Sequence, residues 1–119
     1  MRQGKYGVAP RAERTSREGE VFDSKGELAR WEELRLLERA GEISDLRRQS
    51  MFLLEVSGCK IGTYVADFVY EKGKETVVED FKGVRTPAYR LKKKLMLALY
   101  GIEILETGAP PRRRRRAKR

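Results

Sequence analysis

The chain has no histidine and a single cysteine, Cys59, in 119 residues. Without histidine there is no His-ligated metal centre, no Ser-His-Asp triad and no imidazole base. One cysteine excludes an intramolecular disulfide and any multi-cysteine zinc ribbon, and makes a cytoplasmic location the expectation. Long apolar runs are missing too. No segment is predicted to span a membrane, and the N-terminus lacks the apolar stretch of a signal peptide. Any catalysis must therefore use carboxylates, lysines, arginines, tyrosines or hydroxyls. The length allows one domain with one modest core.

What the chain has in excess is positive charge, +9 overall, and its placement matters more than its size. Arg2, Lys5, Arg11, Arg14 and Arg17 against Glu13 give residues 1–17 a charge of +4, and Arg112–Arg119 carries +7. The body between them, 18–111, is left at −2. Two basic ends on a slightly acidic body predict flexible contacts with a polyanion, driven by counterion release. The bland alternative is a solvated tail. We read residues 1–20 as a basic arm, 21–107 as the folded domain and 108–119 as an arginine-rich tail, in which Arg112, Arg113, Arg114, Arg115 and Arg116 are candidate phosphate contacts.

Within the domain, Asp23 or Ser24 can cap a helix over 24–40. Glu27 stands three residues after Ser24, as a capping box requires. Leu28, Trp31 and Leu34 give it an apolar side, and Gly41 a left-handed stop. Met51–Val56, Ile61–Tyr70 and Thr76–Lys82 read as strands, with the last two joined by a hairpin turn at Glu71–Lys74. Pro87 fits the first turn of a second helix, which runs to Tyr100 on a stripe of Leu91, Leu95, Met96 and Leu99 and ends at Gly101. Ile102–Leu105 is expected to form a short last strand. The order is αβββαβ.

Two of these strands carry acids where apolar residues dominate. Asp67 lies in IGTYVADFVY, with Val65 and Val69 expected on its own face, and such an aspartate needs a partner or a cation. Asp80 and Lys82 close TVVEDFK two positions apart, on one face of a strand. Two aspartates from neighbouring strands with a lysine beside one are a site for a hard divalent cation, which would activate water for attack on a phosphodiester. The Phe81 carbonyl is a further candidate oxygen. Lys82 would orient the metal-bound water. Glu27 is a third acid that can face the site while also serving the helix cap. Glu79 is expected to face away from Asp80. Gln49 either reaches the site or merely ends a loop. Lys92, Lys93 and Lys94 are a solvated helix face or phosphate contacts. Tyr64, Tyr89 and Cys59 read as packing residues. D-x-K by itself is common, and its simplest alternative is an exposed Asp80–Lys82 pair.

Glu27, Asp67, Asp80 and Lys82, in that order on those elements, resemble the PD-(D/E)xK nuclease superfamily over about 22–106. One departure is Ala66, which stands where the motif has a proline that is not a ligand. FDSKGELARWEEL, YVADFVY and VVEDFKG are also similar to a family of small bacteriophage proteins that includes Holliday junction resolvases. The resemblance implies a restriction-endonuclease-like α/β core, a mixed central sheet flanked by helices, with Glu27, Asp67, Asp80 and Phe81 as metal ligands and Lys82 as the catalytic lysine. It implies Mg²⁺ or Mn²⁺ as cofactor, four-way DNA junctions as substrate, a homodimer, and the host cytoplasm for a phage-encoded chain. The alternatives are a flap, nicking or single-strand-specific nuclease of the same fold, or a non-catalytic nucleic-acid-binding protein.

Overall fold

A computed structural model describes residues 9–81 and 85–108. Lys82 and Arg112–Arg116 lie outside the described residues. The elements are α1 (Lys25–Arg39), β1 (Ser44–Val56), β2 (Cys59–Lys72), β3 (Glu75–Asp80), α2 (Pro87–Tyr100) and β4 (Leu105–Glu106), preceded by a 3₁₀ turn at Arg11–Arg14. This is the expected αβββαβ order. The four strands form one mixed sheet in the order β1-β2-β3-β4, antiparallel except for the parallel β3–β4 pair.

Local chemistry explains the element ends. The Ser24 hydroxyl accepts from the Glu27 amide at 3.0 Å, closing the first turn of α1. Thr86 does the same for Tyr89 at 3.1 Å, with Pro87 pre-set for the first turn of α2. Gly101 takes the left-handed conformation (φ 69°) that stops α2. The β2–β3 turn is reduced to Gly73 and Lys74, because Lys72 already pairs with Glu75.

Three expectations about extent are corrected. The first strand begins seven residues early, at Ser44 rather than Met51, and the last is Leu105–Glu106 rather than Ile102–Leu105. The described part of the expected arm, residues 9–20, is folded onto the body. Arg14 donates to the Ala9 and Phe22 carbonyls at 2.9 and 2.7 Å, Thr15 bridges to Val21, and Phe22 is fully buried.

Two cores lie on opposite faces of the sheet. Phe22, Trp31, Leu34, Ile43, Phe68 and Tyr70 pack under α1. Leu54, Tyr64, Ala66, Val69, Val78 and Met96 lie with α2. In α2 the buried residues are Tyr89 and Met96, whereas Leu91 and Leu99 of the expected stripe are 53% and 38% exposed.

The assignment of β2 residues to these cores breaks strict alternation. Tyr64 and Ala66 serve the α2 core, yet Phe68 and Tyr70, of the same parity, serve the α1 core. On β1, Leu46 lies in the α1 core, whereas Phe52 and Leu54 lie in the α2 core. Both strands therefore turn over at the same level, where Gln49 (φ 54°) faces Asp67 across the ladder. A left-handed non-glycine residue rotates the chain out of phase with the pleat, and such strain gathers at functional positions.

Candidate functional site

The site is built where the two strands turn over. Asp67 does not sit on a plain face with Val65 and Val69 as expected, because Val65 is exposed and Val69 belongs to the α2 core. The turnover instead leaves the Asp67 carboxylate beside the end of β3. Its Oδ2 accepts from the Phe81 amide at 2.7 Å, and Gln49 Nε2 approaches Oδ1 at 3.5 Å. Gln49 thus reaches the site. Phe81 contributes its amide in this contact.

Asp80, fully buried, precedes Phe81 and projects to the α2 face. The Tyr64 hydroxyl donates to its Oδ2 at 2.6 Å. Burial and this bond push the Tyr64 phenol well above its ordinary range, so it stays protonated and donating. Tyr64 therefore does more than pack. The side chains of Glu79 and Asp80 point to opposite faces, as expected. Glu79 is fully buried, grips Arg30 of α1 through two bonds of 2.9 and 2.7 Å, and accepts from the Tyr70 hydroxyl.

Glu27 arrives from above, in the first turn of α1. Its amide is used by the Ser24 cap, while its carboxyl is turned inward and 2% exposed. Among the described residues Oε2 accepts no hydrogen bond, and Arg48 Nη2 stands 3.9 Å from it. Burial first, then the charges of Asp67 and Asp23, push Glu27 up to about 7, with Asp80 adding to the rise and Arg48 opposing it. Glu27, Asp67 and Asp80 thus share one electrostatic field although they come from three elements. They do not form a closed cage: no group of three acidic side chains among the described residues converges tightly enough to grip a bare ion.

Phe81 holds this assembly together. A Cβ on Gly26 would lie 2.6 Å from its ring, and one on Gly108 2.5 Å. These glycines let the ring pass against the first turn of α1, one residue from Glu27. A glycine in the first turn of a helix is the signal that the sequence offers for this approach.

Two more residues of the site carry no signal in the sequence. Arg48 lies over the Phe22 ring at 3.9 Å, facing Glu27; it reaches the α1 side because the chain turns over at Gln49. Glu106 gathers Tyr89, Arg85 and Lys93 at 2.7, 2.7 and 3.0 Å. Burial alone would raise Glu106, but bonds from Tyr89, Arg85 and Lys93 outweigh it and hold the group at about 2. Lys93 is therefore paired with Glu106 while its side chain stays part-exposed, and Tyr89 also does more than pack. Lys92 lines a cleft of about 380 Å³ with Tyr64 and Thr86, and Lys94 is exposed.

Residues 4–105 match the model of a protein family described as a protein of unknown function, DUF1064. The chain belongs to the DUF1064 family. No curated protein and no solved structure matches it. Among the described residues of this DUF1064 protein, no helix is long and apolar enough to cross a membrane.

Proposed function

We propose that the chain is a divalent-metal-dependent DNA endonuclease of the PD-(D/E)xK type, acting as a homodimer on branched DNA such as four-way junctions. The observation that carries this reading is that Asp67 accepts from the amide directly after Asp80, beside the first turn of α1 where the buried Glu27 carboxyl is turned inward. Three acids from α1, β2 and β3 stand there close enough for Asp67 and Asp80 to oppose the ionisation of Glu27.

The residues fit a hard cation. All the candidate donors are oxygens, three carboxylates and the Phe81 carbonyl, and the buried Glu27 Oε2 accepts no hydrogen bond among the described residues. Mg²⁺ keeps several of its waters and uses only one or two carboxylates, so an open arrangement suits it better than a closed cage. Glu27, Asp67 and Asp80 would hold such an ion together with the waters it keeps, and the ion would supply an activated water and neutralise charge developing on the phosphate.

The chain's own groups orient these ligands. Tyr64 and the Phe81 amide each fix one oxygen of an aspartate, and Ser24 fixes the helix turn that carries Glu27. Lys82, two residues past Asp80, is the candidate to orient the attacking water. Lys92, Lys94 and the Arg112–Arg116 run supply cations for DNA phosphates, which set affinity and register rather than sequence preference.

Labelled four-way junction, duplex and single-stranded DNA, incubated with and without Mg²⁺, test the reading. Cleavage of the junction by paired nicks, dependent on Mg²⁺ and lost in Asp67→Asn and Asp80→Asn, is expected. Both variants should keep or improve DNA affinity, since each removes negative charge near phosphate. Binding without cleavage under every condition would make the chain a nucleic-acid binder. Equal cutting of all three substrates would remove the junction preference.

A further inference from the structure

Each aspartate of the site has its Oδ2 tied down by the protein, but the two ties differ in kind. Asp67 is held by a backbone amide, that of Phe81. Asp80 is held by a side chain, the Tyr64 hydroxyl. Tyr64 is 3% exposed, and its ring lies against Phe52 with centroids 6.3 Å apart, so the phenol cannot swing away without disturbing the α2 core. The same ring lines the cleft that contains Lys92 and Thr86. It therefore stands between that cleft and the carboxylate it holds.

We propose that Tyr64 is a positioning residue that sets how Asp80 presents itself to a divalent cation. This rests on the reading of Glu27, Asp67 and Asp80 as the cation site. A phenol donating to Oδ2 stops rotation of the carboxylate about its terminal bond and draws charge toward the held oxygen. Asp80 then offers the cation one defined direction rather than a rotating pair of oxygens. Groups that hydrogen-bond to metal-ligating carboxylates orient them in this way, and removing such a group typically lowers metal affinity by about 10–100-fold.

The simpler view is that Tyr64 only satisfies a buried acid. A control within the same fold separates the two. Tyr70 is equally buried, lies in the α1 core on the other face, and donates to Glu79, a carboxylate outside the proposed ligand set. Both Tyr64→Phe and Tyr70→Phe delete a buried phenol bond to an acid. Only the first removes a hydrogen bond to Asp80.

The experiment is thermal unfolding of the full chain titrated with Mn²⁺ alone, without DNA, for wild type, Tyr64→Phe, Tyr70→Phe and Asp80→Asn. Wild type should be stabilised by Mn²⁺, and Asp80→Asn should lose most of that stabilisation. The Mn²⁺ midpoint should rise by about tenfold or more in Tyr64→Phe and stay at the wild-type value in Tyr70→Phe. An unchanged midpoint in Tyr64→Phe, or an equal rise in both variants, overturns the positioning role while leaving the cation site intact. A wild type indifferent to Mn²⁺ overturns the cation site itself. Should Tyr64→Phe not fold, fluorotyrosine at position 64 preserves the packing and alters the acidity of the phenol. Its fluorine resonance should then move on Mg²⁺ addition in step with the stabilisation, and a resonance indifferent to Mg²⁺ overturns the role.

Discussion

Replacing Gly26 by alanine sets two effects of opposite sign against each other, and the structure decides between them. In the interior of a helix alanine is favoured over glycine by about 1 kcal/mol, and less in a first turn. Against this, the new Cβ would stand 2.6 and 2.9 Å from Phe81 Cζ and Cε2. Relaxed carbon contacts lie near ~3.5–4.0 Å, so the ring must retreat by about 1 Å. It has little room: Gly108 already approaches the same ring so closely that its own Cβ would lie 2.5 Å away, and the Phe81 amide is tied to Asp67. Forcing extra volume into such a place costs about 1–3 kcal/mol. The net expectation is a loss of about 1–2 kcal/mol, or a fall in melting temperature of roughly 4–8 °C. Urea and thermal unfolding would measure it. Phe81→Leu should reduce the cost of the alanine, giving a non-additive cycle between the two positions. A Gly26→Ala protein about 1 kcal/mol more stable than wild type would refute the close approach, because helix propensity alone predicts that outcome.

Three further outcomes follow from other parts of the molecule. Glu27 titrates at about 7 in the fold against an ordinary 4.5, so the fold holds an extra proton between those values. Its stabilising protonated form is complete below about 4.5 and lost as pH rises through about 7; urea midpoints in chelator should fall less steeply over this window in Glu27→Gln, and parallel curves would refute the burial of its charge. Glu79→Gln should cost about 3 kcal/mol by leaving Arg30 without its buried partner. Glu33→Gln, at the exposed end of the same guanidinium, should cost under about 1 kcal/mol, and equal losses in denaturant titrations would contradict the two-sided picture of Arg30. Truncation after Pro111 removes seven positive charges. It should flatten the slope of log DNA affinity against log salt by about 0.9 for each phosphate that the tail neutralises. An unchanged slope would mark the tail as a solvated appendage.

The elements that are legible in the sequence are those whose signals are local. Pro87 and Gly101 delimit α2 because one pre-sets a helical φ and the other alone accepts a left-handed one easily. Ser24, Glu27 and the apolar side of α1 are equally local. What is not legible depends on distant partners. Gln49 takes a left-handed conformation without being glycine, so nothing in its neighbourhood announces that β1 and β2 turn over there. That turnover defeats a face assignment based on simple alternation, which groups Asp67 with Val65 and Val69. The beginning of β1 is obscured by Asp45, Arg47 and Arg48, charged residues that the strand tolerates because Asp45 pairs with Arg47, and β2 and α1 supply Glu71 to Arg47 and Glu27 to Arg48. The acids of the site are legible as acids in apolar strands. Their ties to Tyr64 and Phe81 are not, since each joins residues more than a dozen positions apart.

Glu79 and Asp80 differ by one methylene, yet the sheet sends them to unlike environments: a guanidinium on one side, a phenol on the other. A slip of β3 by one residue would turn each to the other's face, and one of the two would take the other's place and still find a donor. Polarity alone therefore cannot reject the slipped pairing. Reach can. Glutamate spans the distance to Arg30 on a helix, whereas aspartate suffices for a neighbouring strand. The order of the two acids acts as a ruler for β3, measuring its register against α1 on one face and β2 on the other. Exchanging Glu79 and Asp80 would conserve composition and charge while making both contacts the wrong length.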